Sequence, residues 1–137
     1  MSHITVSQFT TRFISLVLKG NGLPRKQLDC HILLMSAVLG LEAGRKYSEK
    51  QLNDELGSWS TRFGDNVCLD HVSLRRLLVD DGYLTRDAAG TTYVLKTEGW
   101  PHTIDPAIRS LDLQGLIDEA IRDNEERRSL RQREGGQ

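Results

Sequence analysis

At 137 residues the chain has the size of one domain, long enough to bury a core and too short for two independent ones. Apolar residues make up 38% and charged residues 27%, which excludes disorder over most of the length, and the longest apolar run, residues 32–41, is about half the ~20 residues that a bilayer requires. The formal net charge is −1, and residues 24–97 hold ten basic and ten acidic side chains, so this region can hold a polyanion only where its positive charges gather on one face.

In chain order, Ser7 reads as an N-cap, after which Phe9, Phe13 and Leu16 recur at helical spacing up to Lys19, and Gly20-Asn21-Gly22 supplies a stop. The aromatic stripe of this helix has two destinations, the main core or a second subunit. Leu23-Pro24 opens the next helix, in which Leu28, Ile32, Met35 and Leu39 form one stripe and Leu34, Val38 and Leu41 widen it. A helix this apolar belongs at the centre of the core. Gly40 and Gly44 mark its end, and Arg45-Lys46-Tyr47 forms a short extended segment. Ser48-Glu49-Lys50-Gln51 then fits a capping box, with Leu52, Leu56 and Trp59 following on one face.

Residues 57–69 contain Gly64-Asp65-Asn66 and read as a loop, after which Asp70 caps a helix ending at Gly82. At 100° per residue Leu74, Leu77 and Leu78 face the core, Arg76 points outward, Arg75 lies on the flank, and Leu69, Val72 and Val79 share the outward side with Arg76. Residues 83–86 and 92–95 are β-prone runs around a Gly-containing connection, the pattern of a hairpin. Beyond Trp100-Pro101, Asp105-Pro106 starts a last helical segment. Its apolar face, Leu113, Leu116, Ile117, Ala120 and Ile121, fades after Asn124 into a charged, solvated tail. The sum is a mainly α fold with a small β-hairpin: a winged helix-turn-helix core over residues 23–97, an N-terminal helical arm over 1–22, and a C-terminal linker and helical arm over 98–137.

Several of these residues carry a resemblance. Leu23-Pro24, the run from Gly44 to Asn53 (Gly44-Arg45-Lys46-Tyr47-Ser48-Glu49-Lys50-Gln51-Leu52-Asn53), Asp70 with Leu74-Arg75-Arg76-Leu77-Leu78-Val79-Asp80, and Gly82, Leu84, Arg86, Gly90 and Tyr93 are similar to the uncharacterised bacterial family catalogued as domain of unknown function 2087. The resemblance implies an association with transcription regulators and supplies no reaction.

In a DNA-binding winged helix the side chains pointing away from the core on the third helix enter the major groove. Arg75 and Arg76 are the candidates here, with Arg86 and Lys96 on the wing strands and Lys46 and Lys50 at the entry to the preceding helix available for phosphates. The competing reading pairs Arg75 and Arg76 with Asp70, Asp80 or Asp81 as structural contacts. The apolar residues Leu69, Val72 and Val79 favour a covered face, joined by Phe9 and Phe13 of the first helix and Leu116, Ile117 and Ile121 of the last. Two functions therefore stand: a homodimeric DNA-binding protein of transcription regulation, or a non-enzymatic interaction and dimerisation module that docks a regulator protein.

Cys68 and His71 are spaced i, i+3, and Cys30-His31 lies elsewhere, but adjacent helical residues point about 100° apart and do not easily serve one ion. No metal or cofactor is expected, and two cysteines supply no disulfide framework. Asp70, His71 and Ser73 are neighbours on one helix where a triad needs convergence, and no phosphate loop or nucleophile elbow is present, so no catalytic residue is expected either. The N-terminus lacks a secretory pattern, and the expected location is the cytoplasm.

Overall fold

Local side-chain caps set three of the helix starts. In the computed structural model, which describes residues 3–135, Thr5 Oγ1 accepts from the Gln8 N–H at 3.1 Å and the Gln8 side chain accepts from the Thr5 N–H, opening α1 (Val6–Lys19). Ser7, the expected cap, lies inside the helix because Thr5 and Gln8 complete a capping box two residues earlier. Ser48 and Gln51 form the anticipated box at the start of α3 (Glu49–Phe63), with bonds of 3.1 and 3.0 Å. Asp70 Oδ1 accepts from the Ser73 N–H at 2.8 Å and starts α4 (His71–Asp80). Between them α2 (Gln27–Val38) begins four residues after Leu23, with no side-chain cap.

The helix α3 runs past Gly57 to Phe63, so the expected loop is shorter than residues 57–69. Leu52, Leu56, Trp59 and Phe63 continue one buried stripe, and its burial outweighs the roughly 1 kcal/mol cost of a mid-helix glycine. The connection to α4 is packed rather than free: Asn66 donates from its side chain to the Val17 carbonyl at 2.8 Å and accepts from the Gly22 N–H at 2.9 Å, with Val67 buried beside it. Leu69 is also buried, its carbonyl accepting from Ser60 Oγ at 2.6 Å. It therefore does not join Val72 and Val79 on an outward face; it precedes the helix cap, where a helical projection no longer applies.

After α4 the chain forms the hairpin β3 (Leu84–Arg86) and β4 (Thr92–Leu95), and β4 also pairs with β2 (Tyr47–Ser48). The resulting antiparallel sheet has the order β2-β4-β3, with Tyr47 and Arg86 both opposite Tyr93. The fold is mainly helical with this small sheet. Further on, β5 (Thr103–Ile104) pairs in parallel with β1 (His3–Ile4), a 3-10 helix (Pro106–Ser110) is capped by Asp105, and α5 (Leu113–Gly135) follows. Residues 121–133 of α5 are all exposed. Among the described residues no helix is long and apolar enough to cross a membrane.

One continuous core runs from Ile4 to Ile117, with α2 at its centre and residues 32–38 buried without a break. Phe9 and Phe13 are fully buried, Phe13 meeting Phe63 edge-on at 5.3 Å, and Ile117 is buried with them. These three are interior residues of their own chain and present no face to a second subunit. The two polar side chains buried on α2 itself, Asp29 and Ser36, are both satisfied. Asp29 receives two hydrogen bonds of 2.9 Å from the Arg12 guanidinium on α1, and Ser36 Oγ donates to the Leu33 carbonyl while accepting from Trp59 Nε1 at 2.9 Å.

The base of the hairpin docks on α2 through an aromatic cluster. Tyr83 Oη lies 2.6 Å from His31 Nδ1, the His31 ring meets His102 with centroids 4.7 Å apart, and Tyr83 packs on Trp100. Burial, then the field of Asp81, raises the Tyr83 phenol pKa well above its ordinary range, so it stays protonated beside the imidazole. Burial, reinforced by His102 and opposed by Asp81, lowers the His31 pKa from its ordinary 6.5. The unfolded chain thus takes up the proton first, and this site contributes its full stability above pH 6.5 and loses it as the pH falls below. Thermal melts between pH 7.5 and 5 should show a falling midpoint that is flatter in His31→Gln; identical slopes would remove His31 as the cause.

Candidate nucleic-acid interface

Helix α4 buries Leu74 and Leu78 against the core and leaves its opposite side in solvent. Its inner face packs on α3, and its C-terminal end leads through Gly82, at φ +86°, directly into β3. Because β3 leaves from that turn, the hairpin stands beside the outer face of α4. Between them lies an open cleft of about 180 Å³, lined by Val72, Arg75, Arg76, Val79 and Asp80 of α4, Glu49 of α3, and Arg86 and Tyr93 of the hairpin. Three arginines meet two carboxylates there, a local excess of positive charge in a chain whose net charge is −1.

The two arginines of α4 have different situations. Arg75 is 19% exposed, and its Nη1 donates to Asn53 Oδ1 at 2.6 Å and lies 3.1 Å from Glu49 Oε1, so it ties α4 to α3. Its acidic partner is on the preceding helix, not Asp70, Asp80 or Asp81. Arg76 is exposed and, among the described residues, has no carboxylate at ion-pair distance. Val72 is 44% exposed and Val79 partly buried, so the outward stripe is not covered by α1 or α5.

The hairpin tip is fixed from within. Asp87 accepts from the N–H groups of Thr91 and Thr92 at 2.7 and 3.0 Å and from Thr91 Oγ1 at 3.0 Å. The backbone N–H of Thr92, then that of Thr91, holds its carboxyl below the usual carboxylate range. Gly90 takes φ +72°, and the Arg86 guanidinium lies over it where a side chain would stand. Asp87 was not singled out from the sequence, although an Asp at the start of a Gly-containing turn is the signal for such a self-bonded loop.

The remaining candidates fall outside the cleft. Strand alternation puts Lys96 on the face of the hairpin opposite Leu95, and its ammonium lies against the turns at Gly82 and Gly99. Lys46 and Lys50 are exposed beside the start of α3. On α5, Leu116 is partly buried and Ile121 is 41% exposed. Cys30 is partly buried and Cys68 is exposed at φ +57°, and among the described residues no three His, Cys, Asp or Glu side chains converge as metal ligands would.

The chain belongs to the family described as uncharacterized proteins conserved in bacteria (DUF2087), whose model matches residues 21–95. All eight residues lining the α4–hairpin cleft lie within the matched region, whereas α1 and α5 lie outside it. Comparison with curated proteins gives no match, and neither does comparison with solved structures.

The distinction between the two arginines is measurable. Arg75→Ala should lower stability by about 1 kcal/mol by releasing Asn53 and Glu49, while Arg76→Ala should change it by less than about 0.5 kcal/mol. Urea denaturation of both variants checks this, and equal losses would mean that Arg76 is structural as well.

Proposed function

We propose that the protein is a winged-helix DNA-binding protein of transcription regulation, inserting α4 into the major groove and laying the β3–β4 hairpin along the backbone. The observation that carries this reading is the open outer side of α4, where Arg76 is exposed with no carboxylate partner among the described residues and Arg86 flanks it. The order of α2, β2, α3, α4 and the hairpin supports it, because this order offers one helix and one ribbon side by side. Ten residues give α4 a length of about 15 Å, suited to a groove ≈ 12 Å wide. Arg75 is then a positioning residue, while Arg86, Lys46 and Lys50 are placed for phosphate oxygens. Lys96, turned to the other face of the hairpin, has the weakest claim.

A second reading, an interaction module that pairs two copies or docks a regulator, is favoured by α5. Ile121 and Leu130 are exposed on it at 41% and 55%, and its middle, from Ala120 to Arg127, forms a cleft with Ile14 and Leu18 of α1. The two readings combine in a homodimer that presents two copies of α4.

Fluorescence anisotropy of a mixed-sequence duplex over a salt series tests the first reading. Binding at low salt should fall with a log-log slope of about −3 per protomer, as three or four phosphate contacts require, and Arg76→Ala should weaken it at unchanged stability. No binding at low salt, or a slope near zero, overturns the reading. Light scattering of the full chain tests the second: a dimer mass that Ile121→Glu shifts toward monomer supports α5 as the interface, and a monomeric wild type counts against it.

A further inference from the structure

On the outer side of α4, Val72 and Arg76 lie one turn apart, at i and i+4, within the first two turns after the Asp70 cap. Their neighbours are already engaged. Ser73 is bonded to Asp70 through its backbone N–H, and Arg75 is held by Asn53 and Glu49. Leu74, Leu77 and Leu78 turn inward. Val72 and Arg76, a branched apolar group and a guanidinium, are thus open to a base edge in the first two turns of the helix, beside the exposed Ser73 hydroxyl. Val72 is an apolar side chain that the described residues leave 44% exposed. An exposed valine beside an unpaired arginine has a specific counterpart in the major groove: the thymine C5-methyl group is the apolar feature there, and guanine O6 and N7 together accept a guanidinium.

Resting on the DNA-binding reading above, we infer that Val72 is a specificity-determining residue and that α4 selects a thymine close to a guanine. Val72 packs on the thymine methyl while Arg76 bonds the guanine edge. The Cβ atoms of residues one turn apart are separated by about 5–6 Å, and successive base pairs by about 3.4 Å, so the two bases are adjacent or about one pair apart. Arg86 stays on the backbone at the flank and carries no base preference.

The test is selection by the full-length protein from two duplex libraries with random cores, one containing thymine and the other deoxyuridine in its place, which removes only the methyl. The wild type should enrich sites with guanine within about two base pairs of thymine. Its best site should bind about fourfold more weakly when rebuilt with uracil, the value of one buried methyl. Val72→Ala, whose folding is checked by its melting curve, should bind the thymine and uracil duplexes equally, while Val72→Ile keeps the difference. Salt-dependent binding with no thymine-over-uracil preference in the wild type, or a preference that survives Val72→Ala, overturns this inference and leaves the DNA reading intact. Absence of salt-dependent binding to either library overturns both.

Discussion

Everything in this fold is arranged around a helix that has no polar side to offer. From Ile32 to Val38 every residue of α2 is buried, so the chain must cover it on all sides: α1 and α4 pack directly on it, and α3 reaches it through Trp59. Burying a helix this completely removes large apolar side chains from water at about 1.5–3 kcal/mol each, and it also demands that every polar group taken inside be matched. The matches are Asp29 with Arg12 and Ser36 with Leu33 and Trp59. The first fixes α1 on α2, the second fixes α3, and α4 and the hairpin inherit their positions from both.

That inheritance explains how a cleft with exposed charge can coexist with an ordered scaffold. Arg75 and Asn53 lock α4 to α3, Tyr83 and Trp100 lock the hairpin base to α2, and Asp87 orders the hairpin tip. Of these contact residues Arg75 lines the cleft, and none of the contacts uses Arg76 or Val72. Rigidity is supplied by the flanks and chemistry by the stripe they leave open. A partner meeting this surface encounters side chains whose backbone is already ordered, which lowers the entropy lost on association.

The sequence was legible where structure is decided locally. The Ser48-Gln51 box, the Asp70 cap, the two β-prone runs and the inward Leu74, Leu77 and Leu78 depend on neighbours within a few residues, and all stand where periodicity put them. Where it misled, the cause was also specific. Ser7 looked like a cap because it precedes Phe9, while Thr5 and Gln8 held the stronger reciprocal pair. Gly57 and Gly64 suggested one long loop, although Trp59 and Phe63 continued the buried stripe. The separate fates of Arg75 and Arg76 could not be read locally, because Asn53 and Glu49, the groups that distinguish them, lie more than twenty residues earlier on another helix. Two-residue strands such as β1 and β5 leave no periodic trace at all.

The pairing of β1 with β5 joins residues 100 positions apart, through the backbone ladder and the His3–Thr103 hydrogen bond. On a ribosome adding about 5–20 residues per second, the first strand emerges about 5–20 s before its partner is made. Until then the backbone of Ile4, a residue that ends fully buried, lacks its ladder partner. Strand β1 is thereby secured only after a hundred further residues have been made, and this closure of the fold waits for β5.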